Sequence, residues 1–370
     1  MKLYRIGVVA GLIAGALALS ACSSSKSSST KSSSASSSGA AAAITCSTGK
    51  LNGAGSTAQA NAMTAWITAY QKACTGSTIN YNGTGSGAGV TSFNAGQVDF
   101  AGSDAALNAS AGEVSAAQKR CASTPLNLPM VVGPIALAYK LAGVDKLILN
   151  GDVTAKIFLG KITTWNDPAN AALNPGATLP STKITPAYRS DSSGTTKNFE
   201  NWLAATAPTV FTSKPDKDSS KAGFAGVGKS GSTGVAAAIS STSGAIGYVE
   251  YSYAVSGGLS TAQVDNGGGA VELSPATASA AALAAKVVGT GSDLALQLDY
   301  ATKTPGAYPV ILVTYEIVCT KYSSATTGTF VKNFLTYTST GGQTGLPALG
   351  YAPLPADLQT KVQASVATIS

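Results

Sequence analysis

Residues 187–199 read AYRSDSSGTTKNF, a strand end followed by an arginine, an aspartate two places on, and a run of hydroxyls that opens a helical pattern. Arg189 offers a fixed fork of donors suited to an oxyanion. Free N–H groups at a helix start also favour a negative group, and hydroxyls beside them add donors. Three further turns carry related chemistry: GAGST (53–57), with Ser56 or Thr57 expected as N-cap of the first helix, GTGSGAG (83–89) opening the second, and GSD (102–104) ending the third strand. Glycine in such turns lets backbone approach a ligand closely. Any one of them is ordinary capping chemistry. Three donor-bearing helix starts with an arginine point instead to one small tetrahedral anion.

Two carboxylates stand against that expectation. Asp191 is read as a partner that orients Arg189 and neutralises part of its charge. Asp104 is read as an acceptor for a protonated ligand oxygen. Phosphate at neutral pH still carries a proton, whereas sulfate carries none. A buried acceptor facing a proton-free oxyanion is unpaired and repelled, at a cost of several kcal/mol where water is excluded. Asp104 would thus select phosphate over sulfate.

These turns need strands to hold them. LNGAGST leads into AQANAMTAWITAYQKAC, where Met63, Trp66, Ile67 and Tyr70 recur at helical spacing, and two more strand–turn–helix units follow through 121. That order is an α/β signature. Two apolar stretches, 126–140 and 308–319, are long enough to cross between two bodies. The layout predicted is a first lobe of 45–130 and 310–370, a second lobe of 131–309, and a ligand cleft between them where strand ends face each other.

The first 21 residues have the charged, apolar and small-residue regions of a secretory signal. LSAC (19–22) is similar to a lipobox, which makes Cys22 the expected site of diacylation. Residues 22–44 are Ser-rich and lack aromatics, so they are expected to act as a flexible tether. Net charge is +7, of which Lys2, Arg5, Lys26 and Lys31 supply four ahead of the folded part. The remaining +3, with no basic helix or aromatic–basic interleaving, argues against nucleic acid as a partner. With Cys22 set aside, Cys46, Cys74, Cys121 and Cys319 allow three pairings in an oxidising compartment. Cys46 and Cys74 flank the first strand–helix unit and Cys121 and Cys319 flank the two long strands, which favours Cys46–Cys74 and Cys121–Cys319. No metal is expected, since the chain has no histidine and no close cysteine spacing.

GFAGVGKS (223–230) fits the phosphate-loop pattern G-x-x-x-x-G-K-S. Polar loop precedes it and GSTG follows, so a surface loop near the cleft is expected rather than a nucleotide site. A serine hydrolase is disfavoured by the missing histidine and the missing G-x-S-x-G elbow. Trp66, Trp165, Trp202, Tyr248 and Tyr251 are read as packing residues rather than as a sugar platform.

Taken in order, LNGAGSTAQ, YNGTGSGAGV, VDFAGSDA, FLGKITTWNDP, YRSDSSGTTKNF and GAIGYVEY resemble the phosphate-binding proteins of high-affinity phosphate ABC transporters. The resemblance implies a two-lobed, type II periplasmic-binding-protein-like α/β fold, in which two domains joined by two crossing strands close on bare phosphate. It implies a monomeric, non-enzymatic receptor without cofactors, lipid-anchored to the cell membrane, serving an ABC permease. It places phosphate contacts at Thr57, Ala58, Ser86, Asp104, Arg189, Ser193, Gly194 and Thr195, with Asp191 orienting the arginine. Ala58 departs from the aromatic residue frequent there, which matters little where only its N–H is used. The alternatives are a receptor for sulfate or molybdate and an extracytoplasmic phosphoryl hydrolase.

Overall fold

The computed structural model describes residues 44–370; the signal segment, Cys22 and nearly all of the tether lie outside the described residues. Its centre is a nine-stranded sheet. In chain order the strands are β1 Gly49–Gly55, β2 Ser77–Gly83, β3 Phe100–Ser103, β4 Pro125–Tyr139, β5 Thr185–Arg189, β6 Val227–Lys229, β7 Ala245–Glu250, β8 Ser260–Thr261 and β9 Ile311–Cys319. In space they run β2-β1-β3-β9-β4-β7-β5-β6, with β8 also on β4. Strands β2, β1 and β3 are mutually parallel, as are β7, β5 and β6. The antiparallel β9 and β4 lie between the two parallel sets.

β4 has no polar side chain except Asn127 and the hydroxyl of Tyr139 at its end, and is buried at every one of its 15 residues. A strand covered on both faces reads as a continuous apolar run, not as an alternation. Its pairing changes midway. Residues 125–134 pair β9, and from Ile135 to Tyr139 the partner is β7. This one strand therefore belongs to both halves of a two-lobed α/β fold. β9 starts at Ile311 rather than 308, and Tyr308, ahead of it, donates its hydroxyl to the Ile135 carbonyl at 2.8 Å.

Helices follow the parallel strands: α1 Ala60–Ala73, α2 Ser86–Asn94, α3 Glu113–Cys121, α4 Gly194–Thr206 and α5 Gly231–Ser241. The apolar stripe of α1 is buried, with Met63, Trp66 and Tyr70 all under 3% exposed. Tyr70 meets Phe330, Phe334 and Tyr337 of helix Ala325–Thr338. On the other side Phe158, Phe199, Phe224 and Tyr248 form a second aromatic cluster. Trp165, Trp202 and Tyr248 are likewise core residues, and Tyr251 is packed against the core.

Both disulfides form as expected, Cys46–Cys74 and Cys121–Cys319. The second joins the end of α3 to the end of β9 across 198 residues of sequence. Two local expectations are corrected. Neither Ser56 nor Thr57 caps α1, which starts at Ala60 with Gln59 as an N-cap whose side chain makes no capping bond and donates instead to the Tyr81 hydroxyl at 3.0 Å. The chain spends residues 56–59 on a turn that aims both hydroxyls elsewhere. A helix does directly follow GFAGVGKS, opening at Gly231, but the strand of that stretch (β6) lies inside the pattern, where a phosphate loop needs it in front.

Candidate functional site

The register of the sheet brings the turns together. Gly55 of β1 pairs Gly83 of β2 and Gly102 of β3, so the first three turns leave one edge of the sheet side by side. The fourth leaves the end of β5 at Arg189 and enters α4, capped by Ser193, whose Oγ accepts from the Thr196 N–H at 3.2 Å. Helix starts at the carboxyl ends of parallel strands are where open α/β sheets place ligands.

Asp104 is the hub. Its side chain is only 3% exposed. Oδ1 accepts from Ser56 Oγ and, at 2.8 Å, from Thr314 Oγ1; Oδ2 accepts from Thr195 Oγ1 at 3.1 Å and Ser86 Oγ at 3.4 Å. The Asp104 N–H donates back to Ser86 Oγ at 3.1 Å, and Asn198 Nδ2 donates to the Asp104 carbonyl at 2.6 Å. Burial pushes the Asp104 pKa up, and the hydroxyl donors and Arg189 only partly counter it. Four rotatable hydroxyls on one carboxylate form a store of donors that can re-aim.

Arg189 is the buried cation, 2% exposed. Its Nε donates to Asp191 Oδ1 at 2.7 Å and its Nη2 to Asp191 Oδ2. Burial alone would raise the Asp191 pKa, but the hydrogen bonds and charge of Arg189 outweigh it and hold the carboxyl below its ordinary range. With one edge of the guanidinium fixed, Nη1 faces Ser232 Oγ at 3.5 Å. Ser232 lies 2.9 Å from Thr57 Oγ1, which links the arginine to the first turn. Ala58 is buried, and its N–H donates to Ser56 Oγ at 3.0 Å.

Close approach explains two glycines. A methyl group on Gly194 would stand 2.7 Å from Asp104 Cβ and 2.8 Å from Ser86 Oγ. One on Gly85, which has a φ of +95°, would stand 2.5 Å from Asp191 Oδ2. The fourth turn is thus seated against the second and third with no room for a side chain. Gly194→Ala is expected to leave the melting temperature within a few degrees and to weaken anion binding about tenfold or more, because the turns cannot meet. Calorimetric titration beside a thermal melt checks it.

All eight expected contact residues, and Asp191, fall in this one region. The partners that sequence reasoning missed are Ser232, Thr314 and Asn198. Thr314 had a signal, as a hydroxyl in the otherwise apolar run VILV-T-Y of the last long strand. Ser56 stood in view, but as a cap and not as a donor to Asp104.

Three more acids lie buried nearby or beneath. Glu250 accepts from the Ser252 N–H at 3.0 Å, and Glu316 on β9 has no hydrogen-bond partner at either oxygen among the described residues. Burial first, then the charge of Asp104, pushes Glu316 up to about 8, and burial does the same for Glu200, also about 8. Their folded pKa lies above the unfolded one, so each stabilises fully below about 4.5 and loses that contribution as pH climbs through about 8. Glu316→Gln is expected to flatten the fall of stability between pH 6 and 9 by an amount on the order of 1 to 3 kcal/mol, read from denaturant midpoints. Equal slopes in both proteins would contradict it.

The arrangement is that of a solute receptor: a strand shared by two α/β halves, with donor-rich turns converging between buried opposite charges. Residues 33–340 match the family model described as the PBP superfamily domain. The phosphate-binding protein PstS 3 of Mycobacterium tuberculosis is 43% identical over 376 residues, covering 100% of both chains. PstS 2 of the same species is 43% identical over 327 residues, 87% of each. The high-affinity periplasmic phosphate-binding protein PfluDING, solved with phosphate, superposes with a TM-score of 0.68 at 23% identity, covering 85% of this chain and 93% of its own. The chain belongs to the PBP superfamily and, within it, to the family of these PstS phosphate-binding proteins.

Proposed function

We propose that this chain is an extracytoplasmic receptor that binds inorganic phosphate between its lobes and delivers it to an ABC importer. The observation that carries the reading is the convergence of four turns, distant in sequence, on the Asp104 carboxylate and the Arg189 guanidinium. Arg189, held on one edge by Asp191, has its other edge for an oxyanion. The first-turn amides of α4 have no partner within their helix and add donors from Gly194 and Thr195. Thr57, Ser86 and Ser193 supply hydroxyls, Ala58 a backbone N–H, and Asp104 takes the proton that phosphate still carries. The relatives' name as phosphate-binding proteins supports this, and no covalent step belongs to it.

In this reading the lobes are 45–130 with 310–370 and 131–309, hinged near the point where β4 changes partners, and the ligand shifts an open–closed equilibrium. Cys22 in LSAC carries the lipid that holds a monomeric receptor at the membrane. No helix among the described residues is long and apolar enough to cross a membrane. Cys22→Ser should release the protein into the soluble fraction.

Calorimetric titration with phosphate, sulfate and molybdate from pH 5 to 9 tests the function. Binding of phosphate with exclusion of sulfate is the expected result. Equal binding of sulfate would make it a general oxyanion receptor, and steady turnover of a generic phosphomonoester would make it a hydrolase.

A further inference from the structure

One concavity carries charge that the four turns do not use. A cavity of about 640 Å³ is lined by Lys197, Lys214, Lys217 and Lys221, with Glu113 and Asp216, and Ser192 of the fourth turn forms part of its wall. Two of the ammonium groups are paired, Lys217 with Glu113 and Lys221 with Asp216, each at 2.8 Å. Lys197 and Lys214 have no ion-pair partner among the described residues. Lys197 is partly buried in α4. Burial first, and then the like charge of Lys217, hold its ammonium below the ordinary lysine range. A half-buried cation beside a like charge gains most from an incoming anion. Lys197 also lines a second cavity of about 520 Å³ that reaches Asp104. One unpaired lysine therefore faces both the basic cavity and the space leading to the hub of the site.

We propose that this basic cavity is a capture site for inorganic phosphate, which holds the anion at the cleft mouth before the turns enclose it. The proposal rests on the phosphate-receptor reading and deepens it. All four lysines come from residues 197–221, within one proposed lobe, whereas Glu113 opens α3 in the other. In an open receptor the lysines face water without Glu113, and their attraction for an anion is at its strongest. Closure brings Glu113 onto Lys217 and cancels one charge, so the cavity gives up its hold as the inner site takes over. Lys217 also accepts the Ser193 N–H at its carbonyl, at 2.9 Å, which ties the cavity rim to the cap of the inner site. Charge lining a cleft raises association rates and does so less as salt rises.

The test is stopped-flow phosphate binding to the mature protein and to the Lys197→Met/Lys214→Met double variant, from about 20 mM to 500 mM ionic strength. The association rate constant should fall about fivefold to tenfold at low salt and converge with wild type at high salt, with dissociation unchanged. Lys72→Met/Lys119→Met, two exposed lysines outside the cavity, should change neither rate. Lys197→Gln/Lys214→Gln replaces the first variant if methionine impairs folding. An association rate insensitive to the double substitution, or an effect confined to dissociation, overturns the capture site while leaving the receptor standing. A wild-type protein that binds no phosphate overturns the receptor reading itself.

Discussion

Arg189→Ala should reduce phosphate affinity by about 100-fold or more, the largest single loss available in this protein. Three effects act in the same direction. The substitution removes the one buried cation among the converging turns, a side chain 2% exposed and therefore little screened. It removes donors that reach Ser232 and, through it, Thr57. It also strands Asp191, whose carboxyl this arginine holds below its ordinary range and which stays ionised at neutral pH without it. An unpaired carboxylate would then face the space proposed for the anion, and repulsion would add to the lost attraction. Truncating one member of a buried, hydrogen-bonded charge pair costs about 2–5 kcal/mol for this reason.

The Asp191 contribution can be separated. In Arg189→Ala/Asp191→Asn the stranded charge is gone, so part of the loss should return, about tenfold. Arg189→Lys keeps the charge but has no fork to divide between Asp191 and a ligand, so it should fall between wild type and alanine. Calorimetric titration of the series reads all three, with thermal melts to show that the folded fraction is unchanged. An alanine variant that binds phosphate within twofold of wild type would place the site elsewhere.

How much of this was readable beforehand follows from the range of the interactions. Strand, turn and helix at each of the four sites are encoded within about ten residues, in glycine placement and apolar spacing, with a capping hydroxyl at the fourth alone, Ser193. They were accordingly legible, as were the aromatic core residues and both cysteine pairs. What local pattern does not encode is which turns meet. The donors to Asp104 lie 18, 48, 91 and 210 residues from it, and only the strand order brings them together. Order β1-β3-β9 sets Thr314 beside the third turn, which no periodicity in VILVTYEIVC specifies. Ser232 was hidden differently. It follows a stretch resembling a phosphate loop, which forms instead a short edge strand, with its last residue, Ser230, at the N-cap of α5. The family resemblance supplied the convergence that residue chemistry alone could only suggest. Glu316 had a plain signal, a carboxylate in a run of apolar residues, but its burial without a partner depends on the sheet closing over it.

Asp104→Asn should narrow the preference for phosphate over sulfate by about tenfold to a hundredfold. In the native site the carboxylate accepts only. Against a proton-bearing ligand oxygen it forms a bond, and against a bare one it leaves two acceptors opposed in a dry cleft. The burial that raises its pKa is the same burial that denies the mismatch any relief from water. An amide removes the penalty, because Nδ2 can donate to sulfate while Oδ1 still accepts from Ser56 and Thr314. The rest of the hub tolerates the change. Of the two N–H groups on Nδ2, one serves the ligand and the other a hydroxyl of Ser86 or Thr195 that rotates to accept. The remaining hydroxyl of the pair, both of which now donate to Oδ2, re-aims. Phosphate affinity should therefore drop while sulfate affinity rises, and the two move toward each other. The opposite pattern, equal losses for both anions with their ratio unchanged, would mean that Asp104 only organises its four hydroxyls and reads no proton on the ligand. Paired titrations at one pH distinguish these outcomes directly, since losing a carboxylate that senses the ligand's proton changes the ratio of the two affinities, whereas losing a mere organiser does not.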